Sequence, residues 1–259
     1  MAFALNQGSN LQQPVCHLEA TGKLEFGMQE RNQGRSLVIV STMFFEDRKD
    51  AGQRMVSMVE AYRGAAGAIV LGLPRGGVVV ALEIALALEL PMDVWVTRKI
   101  GAPFNPELAI GSVDSDGNLL LDENTARLYE VSDRYVREEV VSETEEIKRR
   151  YEKYRGEAAP PSIKDKTVLV VDDGVATGYT MMAALQSVRN HEAAKVVCVV
   201  PVASPRVMRK LDQMADEVAC LSTPSYFGAV GEFYRNFEQV TDTEVIDFLR
   251  RAREAQSGA

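Results

Sequence analysis

From residue 67 onward, apolar residues fall into short runs that alternate with stripes at helical spacing. Gly67–Leu73 reads as a short apolar strand, Gly76–Gly77 as a loop, and Val78–Leu90 as a largely buried helix ended by Pro91. Met92–Arg98 predicts the next strand, and such a β-α-β unit joins parallel strands by a right-handed crossover. A second series begins at Thr167–Val171 (strand). It continues through Thr180–Arg189 (helix), Lys195–Pro201 (strand), Pro205–Met214 (helix) and Glu217–Leu221 (strand), and Glu244–Arg253 closes the chain as a helix. Upstream, Ala51, Met55, Met58, Val59 and Tyr62 recur at helical spacing across Asp47–Tyr62. The pattern predicts an α/β fold: a mostly parallel central sheet with helices on both faces.

Four stretches follow the pattern less closely. A hairpin is expected around Asn32–Gly34, between Lys23–Met28 and Ser36–Ser41. Gly101–Gly117, with Pro103 and Pro106, reads as a long loop holding one short strand at Leu108–Val113. Asp122–Arg155 reads as helix up to Pro160–Pro161. Its glutamates (Glu138, Glu139, Glu143, Glu145, Glu146) precede Lys148, Arg149 and Arg150, an order that suits a solvated helix and its dipole better than a nucleic-acid surface. Ser222–Val240 is aromatic-rich and irregular.

Composition narrows the function. Hydrophobic residues make up 46% and charged residues 25%, the balance of a soluble globular protein. A net charge of -8 argues against non-specific nucleic-acid or anionic-membrane partners. Ala65–Leu90 is broken by Pro74, Arg75 and Glu83 and does not read as a membrane span. Met1–Gln13 lacks the features of a signal peptide, so the cytoplasm is expected. Cys16, Cys198 and Cys220 are too scattered for a disulfide framework, and His17 and His191 alone exclude a multi-histidine metal centre.

The chemistry concentrates after the strand at Thr167–Val171. Val168 to Val171 are followed by Asp172, Asp173, Gly174 and then Ala176-Thr177-Gly178-Tyr179-Thr180. A buried strand delivers two adjacent carboxylates, and a Gly- and Thr-rich loop then opens a helix. Its backbone N–H groups and the Thr177 and Thr180 hydroxyls suit a phosphate dianion, while the carboxylates suit vicinal ribose hydroxyls. Ribose 5-phosphate has that shape. A Walker A loop is excluded by the missing Gly-Lys-Ser/Thr, and an Asp-x-Asp phosphatase by the adjacency of the acids.

This segment resembles the signature of the type I phosphoribosyltransferases: four hydrophobic residues, two acids, a spacer and Thr-Gly-x-Thr. The resemblance implies that fold, with a small hood. It also implies that Asp172 and Asp173 hold the 2- and 3-hydroxyls of 5-phosphoribosyl 1-diphosphate (PRPP), and that Ala176, Thr177, Gly178, Tyr179 and Thr180 hold its 5-phosphate. Mg²⁺ would bridge ligand oxygens, reaching Asp172 and Asp173 mainly through water and the ribose hydroxyls. Gly72-Leu73-Pro74-Arg75-Gly76-Gly77 resembles the family's diphosphate loop, with a cis peptide at Pro74–Arg75 and Arg75 as a bidentate cation. Thr97-Arg98-Lys99, running on to Asn105-Pro106-Glu107, resembles the mobile loop of adenine-type members. There Arg98 and Lys99 would neutralise departing diphosphate and Glu107 would move a proton on the base. Ala176 stands where 6-oxopurine enzymes carry an Asp, which disfavours hypoxanthine and guanine.

The segment from Pro224 to Phe237, with Phe45-x-Asp47-Arg48-x-x-Ala51-Gly52, resembles a bacterial subgroup of unassigned substrate. In it Tyr226 or Phe227 either stacks on an acceptor base or packs the segment onto the sheet. The resulting expectations are an N-terminal extension over 1–43 and a phosphoribosyltransferase domain over 44–259 with an aromatic-rich hood segment at 222–240. The expected activity is Mg-dependent transfer from PRPP to a nucleobase-like small molecule by a homodimer. Asp173, Arg75, Lys99 and Glu107 are the catalytic candidates. A PRPP or nucleotide sensor and a hydrolase of a phosphoribosyl compound are the alternatives.

Overall fold

The computed structural model describes residues 29–31, 34–38, 42–156 and 160–257. Its centre is a seven-stranded sheet. In chain order the strands are β1 (Gln29–Arg31), β2 (Gly34–Val38), β3 (Ala68–Gly72), β4 (Met92–Val94), β8 (Thr167–Val171), β9 (Lys195–Val202) and β10 (Glu217–Ser222), arranged β1-β2-β10-β9-β8-β3-β4. All neighbours are parallel except β1 with β2. β3, β8 and β9 are almost wholly buried, as parallel strands covered on both faces must be.

One face packs against α1 (Arg48–Val59), α2 (Gly76–Leu88) and α7 (Asp242–Ser257), through Met55, Val59, Val80, Ile84 and Leu249. The other packs against α5 (Tyr179–Asn190) and α6 (Pro205–Met214), through Met181, Leu185, Val207 and Leu211. This is the layered α/β arrangement that the apolar runs predict. The antiparallel β1–β2 pair agrees with the expected hairpin, although Lys23–Met28 lie outside the described residues. β2 also runs parallel to β10, so this pair extends the main sheet.

Three differences matter. The strand expected over Met92–Arg98 ends at Val94. Arg98 instead starts a separate antiparallel sheet of β5 (Arg98–Ala102), β6 (Asn105–Val113) and β7 (Leu119–Leu121). The long loop expected over Gly101–Gly117 is therefore mostly strand. Gly101 and Pro106 mark an irregular pairing rather than a break: a Cβ on Gly101 would lie 2.6 Å from the Pro106 carbonyl oxygen. The short strand expected at Leu108–Val113 is present as the greater part of β6, whereas β5, the start of β6 and β7 were not expected as strands.

The third difference is a break in the helix expected over Asp122–Arg155. It divides into α3 (Glu123–Leu128) and α4 (Asp133–Arg155), each with its own N-cap: Asp122 accepts from the Thr125 amide and Ser132 from the Tyr135 amide. α4 stops at Gly156, at φ 63°, before the prolines. No helix among the described residues is long and apolar enough to cross a membrane.

Candidate functional site

β8 lies at the sheet centre between β3 and β9, with Val168 to Val171 fully buried, so Asp172 and Asp173 follow at its carboxyl end, the side of such sheets where ligands bind. β3 ends alongside it: Gly72 pairs with Val171, and the Leu73 amide donates to the Val171 carbonyl at 2.8 Å. The loop after β3 therefore runs against the acid pair. Close approach explains its glycines. A Cβ on Gly77 would lie 2.7 Å from the Val171 carbonyl oxygen and 2.8 Å from Asp172 Cα, and one on Gly76 would lie 1.9 Å from Asp173 Oδ2. At Gly77 the obstruction is backbone and only glycine fits, whereas at Gly76 the Asp173 and Arg48 side chains would have to shift. The Pro74–Arg75 peptide is cis, and Arg75 stands at the N-terminal boundary of α2 without a side-chain capping bond.

The Asp172 carboxylate accepts from the Asp173 amide at 2.9 Å. Burial, reinforced by the charge of Asp173, pushes the Asp172 carboxyl well above the ordinary range. Burial also raises Asp173, against the opposing pull of the Arg48 guanidinium. Arg48 Nε donates to Asp173 Oδ2 at 2.6 Å, and both side chains are nearly nine-tenths buried. Tyr234 donates its hydroxyl to the Asp173 carbonyl, and burial next to Asp173 raises the phenol's pKa.

After the acids the loop is anchored from outside. The Val175 amide donates to the Val202 carbonyl at 2.8 Å, the Ser204 amide to the Val175 carbonyl at 2.9 Å, and Ser204 Oγ to the Ala176 carbonyl at 2.6 Å. Gly178 then takes φ +88° and α5 begins at Tyr179. The first amides of a helix have no intrahelical acceptor, so the stretch from Thr177 to Thr180 presents donors to an anion. Buried Thr97 donates its hydroxyl to the Thr180 carbonyl at 3.3 Å, tying the chain after β4 to this helix start. The Tyr179 side chain is turned to structural use, its hydroxyl donating to Asp122 at 3.0 Å.

The fold thus gathers Asp172, Asp173, Gly76 and Gly77 within contact distance. It sets Pro74 and Arg75 in the loop after β3, and Ala176 to Thr180 in the loop after β8 and the first residues of α5. Arg98 is held in a two-toothed ion pair with Glu143 of α4, at 2.6 and 3.3 Å. Lys99 stands beside it on β5, in register with Ser112. Glu107 falls on β6, and its side chain lies outside the described atoms. Of the two aromatic candidates, Phe227 packs against Phe233 in a tilted arrangement with ring centroids 5.0 Å apart, whereas Tyr226 is 81% exposed.

Sequence reasoning assigned no role to Arg48 or Tyr234. Arg48 carried a signal: it is a cation in the first turn of α1, where the helix dipole favours an acid. Among the described residues no group of three or more His, Cys, Asp and Glu side chains could hold a metal. The hard carboxylate oxygens of Asp172 and Asp173 fit Mg²⁺ shared with ligand oxygens, as such ions bind with substrate phosphates. A cavity of about 410 Å³ lies elsewhere, between Trp95, Tyr151, Arg155 and His191. Its buried guanidinium is already taken by Asp93 at 2.9 Å and the Val94 carbonyl at 2.7 Å.

The phosphoribosyl transferase domain model matches residues 50–238. Two Mycobacterium tuberculosis proteins, from strains CDC 1551 and H37Rv and provisionally named phosphoribosyl transferases, are 42% identical over 221 residues. The match covers 83% of this chain and 49% of theirs, so the chain spans about half the length of these curated relatives. The crystal structure of the protein TT1426 from Thermus thermophilus is 41% identical with a TM-score of 0.70, covering 81% of this chain and 99% of that one.

Proposed function

The chain belongs to the phosphoribosyl transferase family, and from that premise we propose that it moves the phosphoribosyl group of PRPP to a nucleobase-like acceptor and releases diphosphate. One observation carries the reading: Gly76 and Gly77 lie in van der Waals contact with Asp172 and Asp173 where β3 and β8 end side by side. A diphosphate loop and a diol clamp so close match the two ends of one activated ribose.

In this reading the amides from Thr177 to Thr180 and the Thr177 and Thr180 hydroxyls grip the 5-phosphate. Asp172 and Asp173 accept from the ribose hydroxyls. The amides of Gly76 and Gly77, with Arg75, hold the diphosphate, and Lys99 adds charge as it departs. The C1–O bond breaks with its electron pair leaving on diphosphate, and the acceptor nitrogen forms the new bond to C1. The negative charge of Asp173 favours the positive character that builds on the sugar, and Glu107 serves as the carboxylate that exchanges the acceptor's proton. Mg²⁺ bound with PRPP would neutralise diphosphate charge. Arg98 must leave Glu143 before it can assist. The reading takes the protein to be a cytoplasmic homodimer without a nucleic-acid or membrane partner.

The test is a nucleobase screen with PRPP and Mg²⁺, read by diphosphate release alongside thermal protection. The expected result is PRPP-dependent protection with release only when one base is present. Release without any base indicates the hydrolase alternative, and protection without release indicates a sensor. No protection at millimolar PRPP overturns the proposal.

A further inference from the structure

Arg48 is held from three directions. Its Nε donates to Asp173 Oδ2 at 2.6 Å, its second nitrogen donates to the Glu238 carbonyl at 2.7 Å, and its guanidinium carbon stands 3.8 Å from the centre of the Phe237 ring. The last two partners belong to the aromatic-rich segment 222–240. That segment reaches Asp173 a second time, through the Tyr234 hydroxyl on the Asp173 carbonyl. It is also fastened to the residues just ahead of α1: the Phe45 amide donates to the Phe233 carbonyl at 2.8 Å, and the Arg235 and Asn236 amides donate to the Phe45 and Glu46 carbonyls at 2.9 Å. Gly76 completes the enclosure, since a Cβ there would lie 2.7 Å from Arg48 Nε.

A guanidinium is suited to this junction because it offers five donors in a rigid plane and stacks on an aromatic face while staying charged. Lysine would supply the charge without the fork or the stack. A carboxylate has about four lone-pair sites, and Arg48 fixes the orientation of the Asp173 carboxylate through one of its oxygens, Oδ2.

We propose that Arg48 is a positioning residue that orients Asp173 toward the ribose diol and fastens the aromatic segment to that same carboxylate. Diol binding and the placement of the segment are thereby linked through one side chain. This inference rests on the PRPP reading above.

The experiment compares three probes by calorimetry: PRPP with Mg²⁺, ribose 5-phosphate, and inorganic diphosphate. In Arg48→Met, the first two probes, which carry the diol, lose at least about tenfold in affinity, the scale of one charge-assisted hydrogen bond. Diphosphate, which the loop around Arg75 would hold, binds as it does to the unaltered protein. Arg48→Lys recovers part of the loss. Phe237→Leu, which keeps the ion pair and removes the stack, shows a smaller loss with the same split. Equal weakening of all three probes reduces Arg48 to a structural residue and overturns the proposal, as does unchanged diol binding in Arg48→Met. If the unaltered protein binds none of the three, it is the PRPP reading that fails.

Discussion

Asp172 and Asp173 sit at a strand end where burial disfavours charge; Asp173 forms an ion pair with Arg48, whose charge also favours the Asp172 anion. The sign of the consequence follows from linkage. A carboxyl whose pKa is higher folded than unfolded binds its proton more tightly in the native state. Its stabilising contribution is complete below the unfolded value and is lost as pH rises through the folded one. The Asp172→Asn variant removes that penalty while keeping the shape. Its melting temperature should exceed that of the unaltered protein at about pH 8 and converge with it near about pH 4, measured by calorimetry across that range. The same variant should lose its protection by PRPP. A melting temperature that falls at pH 8 would show that Asp172 is stabilising as an anion. Stability given up at a residue that a ligand needs is the trade expected at a binding site.

At the scale of elements, the three-stranded sheet carries two of the three cations expected to meet diphosphate, Arg98 and Lys99, yet Arg98 is tied to α4 through Glu143, with the two side chains 32% and 18% exposed. Tyr135 of α4 adds a second tie by donating to the Gly101 carbonyl at 3.0 Å. The Glu143→Gln variant should release Arg98. If Arg98 assists departing diphosphate, affinity for inorganic diphosphate should rise on the order of tenfold by titration calorimetry, the size of one recovered charge-assisted contact. Unchanged affinity would confine Arg98 to holding β5 on α4. These strands were the least legible elements. Within this sheet only Leu108–Val113 was expected as a strand; β5 contains Gly101 and β7 is three residues long, too little for an alternation to show. The central strands and their helices were legible because turn residues bound each apolar run, and because the strands β3, β8 and β9 sit within a doubly covered sheet.

At the scale of the whole molecule, β2 covers the outer edge of β10, and β1 in turn pairs with β2. An uncovered parallel edge is a template for pairing with another chain. A chain starting at residue 42 should melt earlier and self-associate more, read by light scattering on heating. Unchanged association would mean that the edge is protected without β2. Here the seven-stranded sheet reaches beyond the segment that the family model matches, which begins at residue 50.

The succession of the central strands β3, β4, β8, β9 and β10 with α1, α2, α5, α6 and α7, the acid pair, and the glycine-opened helix start were determined by the sequence alone. Each depends on residues within a turn or two of one another, so spacing and residue type suffice. The contacts that turn those parts into a site were decided only by tertiary structure. Arg48 meets Asp173 across 125 residues and Tyr234 meets it across 61, and a carboxylate from the end of another strand occupies the place of a Cβ on Gly76. Long-range partners leave no periodicity in the chain. Their pairing is settled by how the strands register and which ends they bring together.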